Sequence, residues 1–377
     1  MLKTLRLTAT LLALAATFSP NLRAQDTIKI GEVAALTGKD ASFGQSSHKA
    51  TQLAVDEINA AGGVLGKKLE LITENNQCKI GESATTAKKL ISRDKVVALL
   101  GEVASSRSLE MAPVAQAAKI PMISPSSTNP KVTQVGSYIF RVCFVDAFQG
   151  QVMAKFAHST LKVKKVAILS SVSSAYSVGL AAAFKKQFIS EGGTVAIEQK
   201  FQEGDKDFKA QLTAIKAAGV DGILVPAYYT ECALISIQAR ALGLNIPLFG
   251  GDGWESPQLI AIGGKAVEGI YFSTHYSSEN PAPVTQAFVK KYRERYNGET
   301  PDGLAALGYD SVLVLVDAIK RAGTTESTKL RDAIAATKDV MGATGATTLD
   351  PERNASKPAA LFTVKDGKFH FVQSATP

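Results

Sequence analysis

Residues 96–130 read VVALLGEVASSRSLEMAPVAQAAKIPMISPSSTNP, and the fold follows from them. Residues 96–100 are an apolar run of Val, Ala and Leu with no polar alternation, as in a strand buried on both faces. Residues 106–118 carry a helical pattern, and residues 120–123 form a second short apolar strand. A strand, a helix and another buried strand at this spacing imply parallel pairing through a crossover helix. Outward from this unit the alternation continues. Strands are predicted at 28–33, 68–72 and 138–142, and helices at 45–61 and 83–92. A second series has strands at 165–169, 194–200, 222–225, 247–249 and 269–273, with helices at 177–189, 208–217 and 233–242. Helices return at 284–296 and 304–321. The expected class is α/β, with two doubly wound parallel-sheet lobes and no flexible tract between them.

Length and composition agree with that reading. A chain of 377 residues, 45% hydrophobic and 20% charged, suits two globular domains. Three cysteines (Cys78, Cys143, Cys232) are too few for a disulfide scaffold. Residues 1–24 are laid out as a secretory signal. Lys3 and Arg6 precede an apolar core at 7–18, Ser19-Pro20-Asn21 breaks it, and Ala24 is a small residue suited to cleavage. The core is short for a membrane span, so export with cleavage of this segment is expected. Cleavage removes Lys3, Arg6 and Arg23 and lowers the formal net charge from +8 to +5. The remaining lysines are spread over helix faces, as at Lys88-Lys89, Lys185-Lys186 and Lys290-Lys291. They read as solvated surface, not as a nucleic-acid site.

Enzyme motifs fail one by one. The run Gly62-Gly63-Val64-Leu65-Gly66-Lys67 has the wrong spacing for a phosphate loop, and Lys68 stands where Ser or Thr is needed. Gly251-Asp252-Gly253 lacks the third glycine of a dinucleotide fingerprint. Four histidines (48, 158, 275, 370) form no pair at metal spacing. No nucleophile elbow occurs. Neither a catalytic residue, a cofactor nor a metal is expected.

Three loops after predicted strands stand out, because ligands of open parallel sheets sit beyond the carboxyl ends of the strands. Residues 100–107 (LGEVASSR) place Ser105 and Ser106 at a helix start, where backbone N–H groups favour an anion. Residues 123–130 (ISPSSTNP) add Ser126, Ser127 and Thr128. Residues 248–254 (LFGGDGW) set Asp252 between glycines. Each loop alone reads equally well as a cap or a turn. Together, hydroxyl donors on one lobe and an acid on the other match the two ends of a zwitterion, neither of which is buried cheaply without a partner.

These residues carry a resemblance. The chain is similar to the leucine/isoleucine/valine-type periplasmic binding proteins of ABC transporters, which have the type I two-lobed clamshell. It rests on residues 28–38 (IKIGEVAALTG), 54–66 (AVDEINAAGGVLG), 101–106, 122–130 (MISPSSTNP) and 228–231 (YYTE), in that order. The resemblance implies that Ser105 and Thr128 bind an α-carboxylate, with backbone groups around Ser126 and Ser127. Asp252 takes the α-ammonium, Phe43 forms an aromatic wall, and Tyr176 and Tyr228 line the second lobe. It implies lobes of 25–146 plus 276–355 and of 147–275 plus 356–377. Crossover hinges fall near 143–146 and 274–276. It implies a monomer that delivers a small amino acid or related carboxylate to a permease, with branched-chain amino acids as the default.

Departures bear on the pocket. Asp252 is one methylene shorter than the Glu of close relatives, and Trp254 beside it is bulky enough to narrow the side-chain pocket. Cys78 falls on a disulfide position of some relatives, but Ala104 occupies the partner position. Pairing of Cys78 with Cys143 or Cys232 stays open. A sensing lobe for a receptor, and a binding protein for amides or aromatic acids, are the alternative readings.

Overall fold

The structure, a computed structural model, describes residues 27–376. The signal read at 1–24 lies outside them. The first sheet has the order β2-β1-β3-β4-β5 and is wholly parallel. Its strands are β1 (Ile28–Ala34), β2 (Leu69–Asn75), β3 (Ala98–Leu100), β4 (Met122–Ser124) and β5 (Ile139–Arg141). They alternate with α1 (Ala41–Ala60), α2 (Glu82–Ser92), α3 (Ser105–Ala118) and the short α4 (Lys131–Gln134). Every residue of β3 and β4 is buried, as expected of short strands covered on both faces.

The chain then passes to a second body through α5 (Asp146–Lys155), which packs on α6 (Ala175–Ser190). Here β6 (Lys165–Ser171), β7 (Thr194–Phe201), β8 (Gly222–Leu224), β9 (Leu248–Gly250) and β10 (Tyr271–Thr274) are parallel in the order β7-β6-β8-β9-β10. Their helices are α7 (Lys209–Ala217), α8 (Tyr229–Ala241) and α9 (Pro257–Gly263). A second passage leads to α10 (Pro283–Arg295), α11 (Gly303–Ala322) and α12 (Ser327–Ala335). Leu307, Leu315 and Ile319 of α11 share a core with Ala50, Leu53 and Ala54 of α1 and with β1 of the first sheet. The hairpin β11 (Val340–Gly342) and β12 (Gly345–Thr347) follows. A third passage returns the chain to the second sheet as β13 (Ala359–Lys365) and β14 (Lys368–Ala375).

These last two strands depart from the all-parallel expectation. β13 runs antiparallel to β10, and β14 antiparallel to β13. The chain comes back without a crossover helix on this sheet, so it enters beside β10 from the opposite end. Asp366-Gly367, both at positive φ (51° and 67°), then make the tight two-residue turn between them. The predicted start of α1 also moves. It begins four residues early, at Ala41, which puts Phe43 on its first turn. No helix among the described residues is long and apolar enough to cross a membrane.

Candidate ligand cleft

Both sheets share one doubly wound order, so the winding reverses between β1 and β3 in one and between β6 and β8 in the other. Crevices open at such switch points. The six loops beyond β1, β3, β4, β6, β8 and β9 supply Phe43, Ser105, Ser126 to Thr128, Tyr176, Tyr228 and Asp252. They meet. Phe43, Ser105, Ser126, Thr128, Tyr176, Tyr228 and Asp252 line one small cavity, together with Val103, Gly253 and Leu304. A wider groove of about 1850 Å3, open to solvent, lies outside it along α1 and the start of α11.

The first-sheet wall is neutral and rich in donors. Ala104 precedes α3 without any side-chain cap, so the first N–H groups of that helix are not capped by a side chain. The Ser105 hydroxyl is buried and accepts from the Asn129 N–H at 3.2 Å. Thr128 Oγ1 is buried between the cavity and the Asp146 carboxyl group. Ser127 differs from the seven residues that line the cavity. It faces inward, with Oγ donating to the Glu102 and Val103 carbonyls at 3.0 Å and its N–H donating to Ser124 Oγ. It builds the loop and does not line the cavity. Ser106 points across to the other body and accepts from the Ala175 N–H at 3.0 Å.

Arg141 is a residue that the sequence reading missed. Its guanidinium is fully buried and donates to the Ser127 and Asn129 carbonyls, the latter at 2.7 Å. It braces the second loop and lays positive charge beneath it. A charged residue inside the apolar strand YIFRVC was the available signal. Asp146, at the passage into α5, is buried with the Thr128 hydroxyl beside its carboxyl group. Burial drives its pKa up to about 8.

The second-sheet wall centres on Asp252. Its Oδ1 accepts from Gln149 Nε2 at 2.8 Å, and its Oδ2 from His275 Nε2 at 3.0 Å. The flanking glycines are required by packing. A Cβ on Gly251 would sit 2.3 Å from Gln149 Oε1, and one on Gly253 would sit 2.5 Å from the Ala227 carbonyl oxygen. Gly253 N–H donates to the Tyr176 hydroxyl at 3.1 Å. Tyr176 and Tyr228 stack with ring centroids 5.3 Å apart and planes at 5°. Phe43, from the first body, meets the Tyr228 ring edge-on at 5.5 Å.

Trp254 does not narrow the pocket. It is fully buried in the core of the second body, donating Nε1 to the Val225 carbonyl at 2.8 Å, and is absent from the cavity wall. The short turn after Asp252 carries its ring away from the cleft. The apolar wall is instead made by Phe43, Val103 and Leu304. Leu304 was not legible locally, because nothing in the start of α11 distinguishes a cavity residue from a core one. Cys78, Cys143 and Cys232 are all free thiols.

The periplasmic binding protein family profile matches residues 27–368. The chain belongs to the periplasmic binding protein family. Among solved structures it is similar to a leucine-binding protein LivK of Thermotoga maritima, at 40% identity and a TM-score of 0.90, covering 93% of this chain and 99% of that one. It is also similar to the substrate-binding protein LivJ of Streptococcus pneumoniae in complex with isoleucine. There the identity is 35%, the TM-score 0.88, and the coverage 93% and 100%. Among curated proteins, the leucine-, isoleucine-, valine-, threonine- and alanine-binding protein of Pseudomonas aeruginosa is 31% identical over 321 residues, 85% of each chain.

Membership of this binding-protein family gives the two-body architecture its meaning. Contacts between the bodies ring the cavity. Asn129 Nδ2 donates to the Ala175 carbonyl at 2.6 Å, Tyr229 OH to the Lys39 carbonyl at 2.7 Å, and Gly303 N–H to Glu255 Oε1 at 3.1 Å. The cleft is closed over a small polar-ended chamber.

Proposed function

We propose that this chain is a periplasmic solute-binding protein that closes on a branched-chain L-amino acid and presents it to an ABC transporter permease. One observation carries the reading: Asp252 stands in the same cavity as the uncapped start of α3 and Thr128, with Phe43, Val103 and Leu304 as the apolar remainder. An α-carboxylate suits the helix start and the Thr128 hydroxyl. An α-ammonium suits Asp252. A small aliphatic side chain suits what is left. An aromatic acid would bring a carboxylate and no cation, leaving Asp252 buried unpaired. Lobes of 25–146 plus 276–355 and of 147–275 plus 356–377, hinged near 143–146 and 274–276, fit this reading, as does export after removal of residues 1–24.

A thermal-shift panel tests it. L-leucine, L-isoleucine and L-valine at about 100 times Kd are expected to stabilise the protein by about 2.7 kcal/mol. Benzoate and 4-methylpentanoate, which lack an ammonium, are expected to leave its Tm unchanged. Stabilisation by benzoate and by none of the amino acids would overturn the reading.

Closure also carries a proton. Glu255, from the loop after β9, is buried against the start of α11, where it accepts from Gly303 N–H and Thr274 Oγ1. Burial, then the charge of Asp302, raises its pKa to about 8. In an opened, solvated cleft it would titrate near the ordinary ~4.3 of a glutamate. Closing therefore takes up a proton between these limits. The closed form is favoured most below the lower value, and the advantage is lost as pH rises through 8. L-leucine is expected to bind roughly fiftyfold more tightly at pH 6 than at pH 8. Isothermal titration of Glu255→Gln is expected to weaken the pH dependence, and the part that remains is what Asp146 contributes.

A further inference from the structure

We propose that His275 and Gln149 are positioning residues that aim the Asp252 carboxylate at the ammonium of the ligand and anchor it to the first two passages between the two bodies. The inference rests on the amino-acid reading above and concerns residues that touch Asp252 without lining the cavity. An ionised carboxylate offers about four acceptor sites. Gln149 Nε2 takes one on Oδ1 and His275 Nε2 one on Oδ2. The plane of the group is thereby fixed, and one site on each oxygen is left for a ligand. Without these donors, only its rotamer wells and the surrounding packing would orient the Asp252 carboxylate.

Neither donor is free to move. His275 is buried, its Nδ1 has no partner, and its ring lies on Phe144 with centroids 4.0 Å apart. Gln149 is fully buried, with Gly251 leaving the room for its amide. The two donors also share an address. Gln149 lies in the first turn of α5, just past the first passage, and His275 directly follows β10, at the start of the second. Phe144 belongs to the first passage, so its contact with His275 joins the two. Asp252 is held by the segments about which the bodies would turn.

The test is a mutant cycle read by calorimetric titration with L-leucine. His275→Ala and Gln149→Ala are each expected to weaken binding by about tenfold or more. His275→Gln, which returns an N–H donor to the Nε2 position, is expected to stay within about threefold of wild type. In an Asp252→Asn background, His275→Ala is expected to cost less than about twofold, because the carboxylate it positions is gone. A merely structural histidine would weaken binding equally in both backgrounds and would not be rescued by glutamine; either result overturns the proposal. A wild-type protein that does not bind L-leucine would overturn the ligand reading, and the proposal with it. Binding by wild type with additive variants would overturn the positioning role alone.

Discussion

Asp252→Ala is expected to weaken L-leucine binding by about 3 kcal/mol, roughly a hundredfold in Kd. The carboxylate is buried in the closed cleft, and the other residues that line the cavity are uncharged. Removing it leaves the ligand ammonium out of water with no counter-charge. It also strands the Gln149 amide and the His275 ring N–H, which point at the same two oxygens. Breaking a buried pair by deleting one partner has a cost of this order because the surviving charge is uncompensated. Calorimetric titration of the variant checks it. Unchanged affinity would show that the ammonium, if the ligand has one, binds elsewhere.

Asp310→Ala is expected to destabilise the fold by about 3–5 kcal/mol, whether or not ligand is present. Asp310, on α11, and Lys357, just before β13, are both about 1% exposed, and their charged atoms are 3.2 Å apart. Asp310 also accepts from the Ala343 and Thr344 N–H groups at 2.6 and 3.1 Å. The alanine variant would bury an unpaired ammonium and two unmatched N–H donors. This cluster fixes the third passage between the bodies to the helix that underlies the first sheet. Denaturant unfolding checks the size of the loss. Asp310→Leu combined with Lys357→Met, which removes both charges, is expected to recover much of it, since well-packed apolar residues often replace a buried pair without penalty.

The sequence was informative where local rules and global position coincide. The buried runs at β3, β4, β6 and β8 have no other use than a parallel sheet covered on both faces. The rule that ligands gather beyond the strand ends turned three odd loops into a candidate site. Seven of the nine residues named from those loops and from the resemblance line one cavity, Ser106 and Ser127 being the exceptions. Ser127 does not, because adjacent residues in a loop point in different directions, and only the packing against Glu102 and Val103 chooses inward for it. Trp254 failed in the same way: being next to Asp252 in the chain says nothing about which side of a short turn an indole takes. The antiparallel end of the second sheet was missed although Asp366-Gly367 is a hairpin signal, since the strands beside it had not been recognised.

Residues that act across long sequence separations were beyond local reading. Gln149 and His275 lie 103 and 23 positions from Asp252, and neither stands in an unusual local context. Arg141 braces a loop twelve to fourteen residues before it. What the chain fixes by itself is its alternation of buried strands and amphipathic helices, and the chemistry held at the strand ends. What only the tertiary structure decides is which of those groups share a water-poor space. A hydroxyl, a carboxylate or an imidazole acquires its partner, its desolvation and hence its role from neighbours that chain order does not bring together.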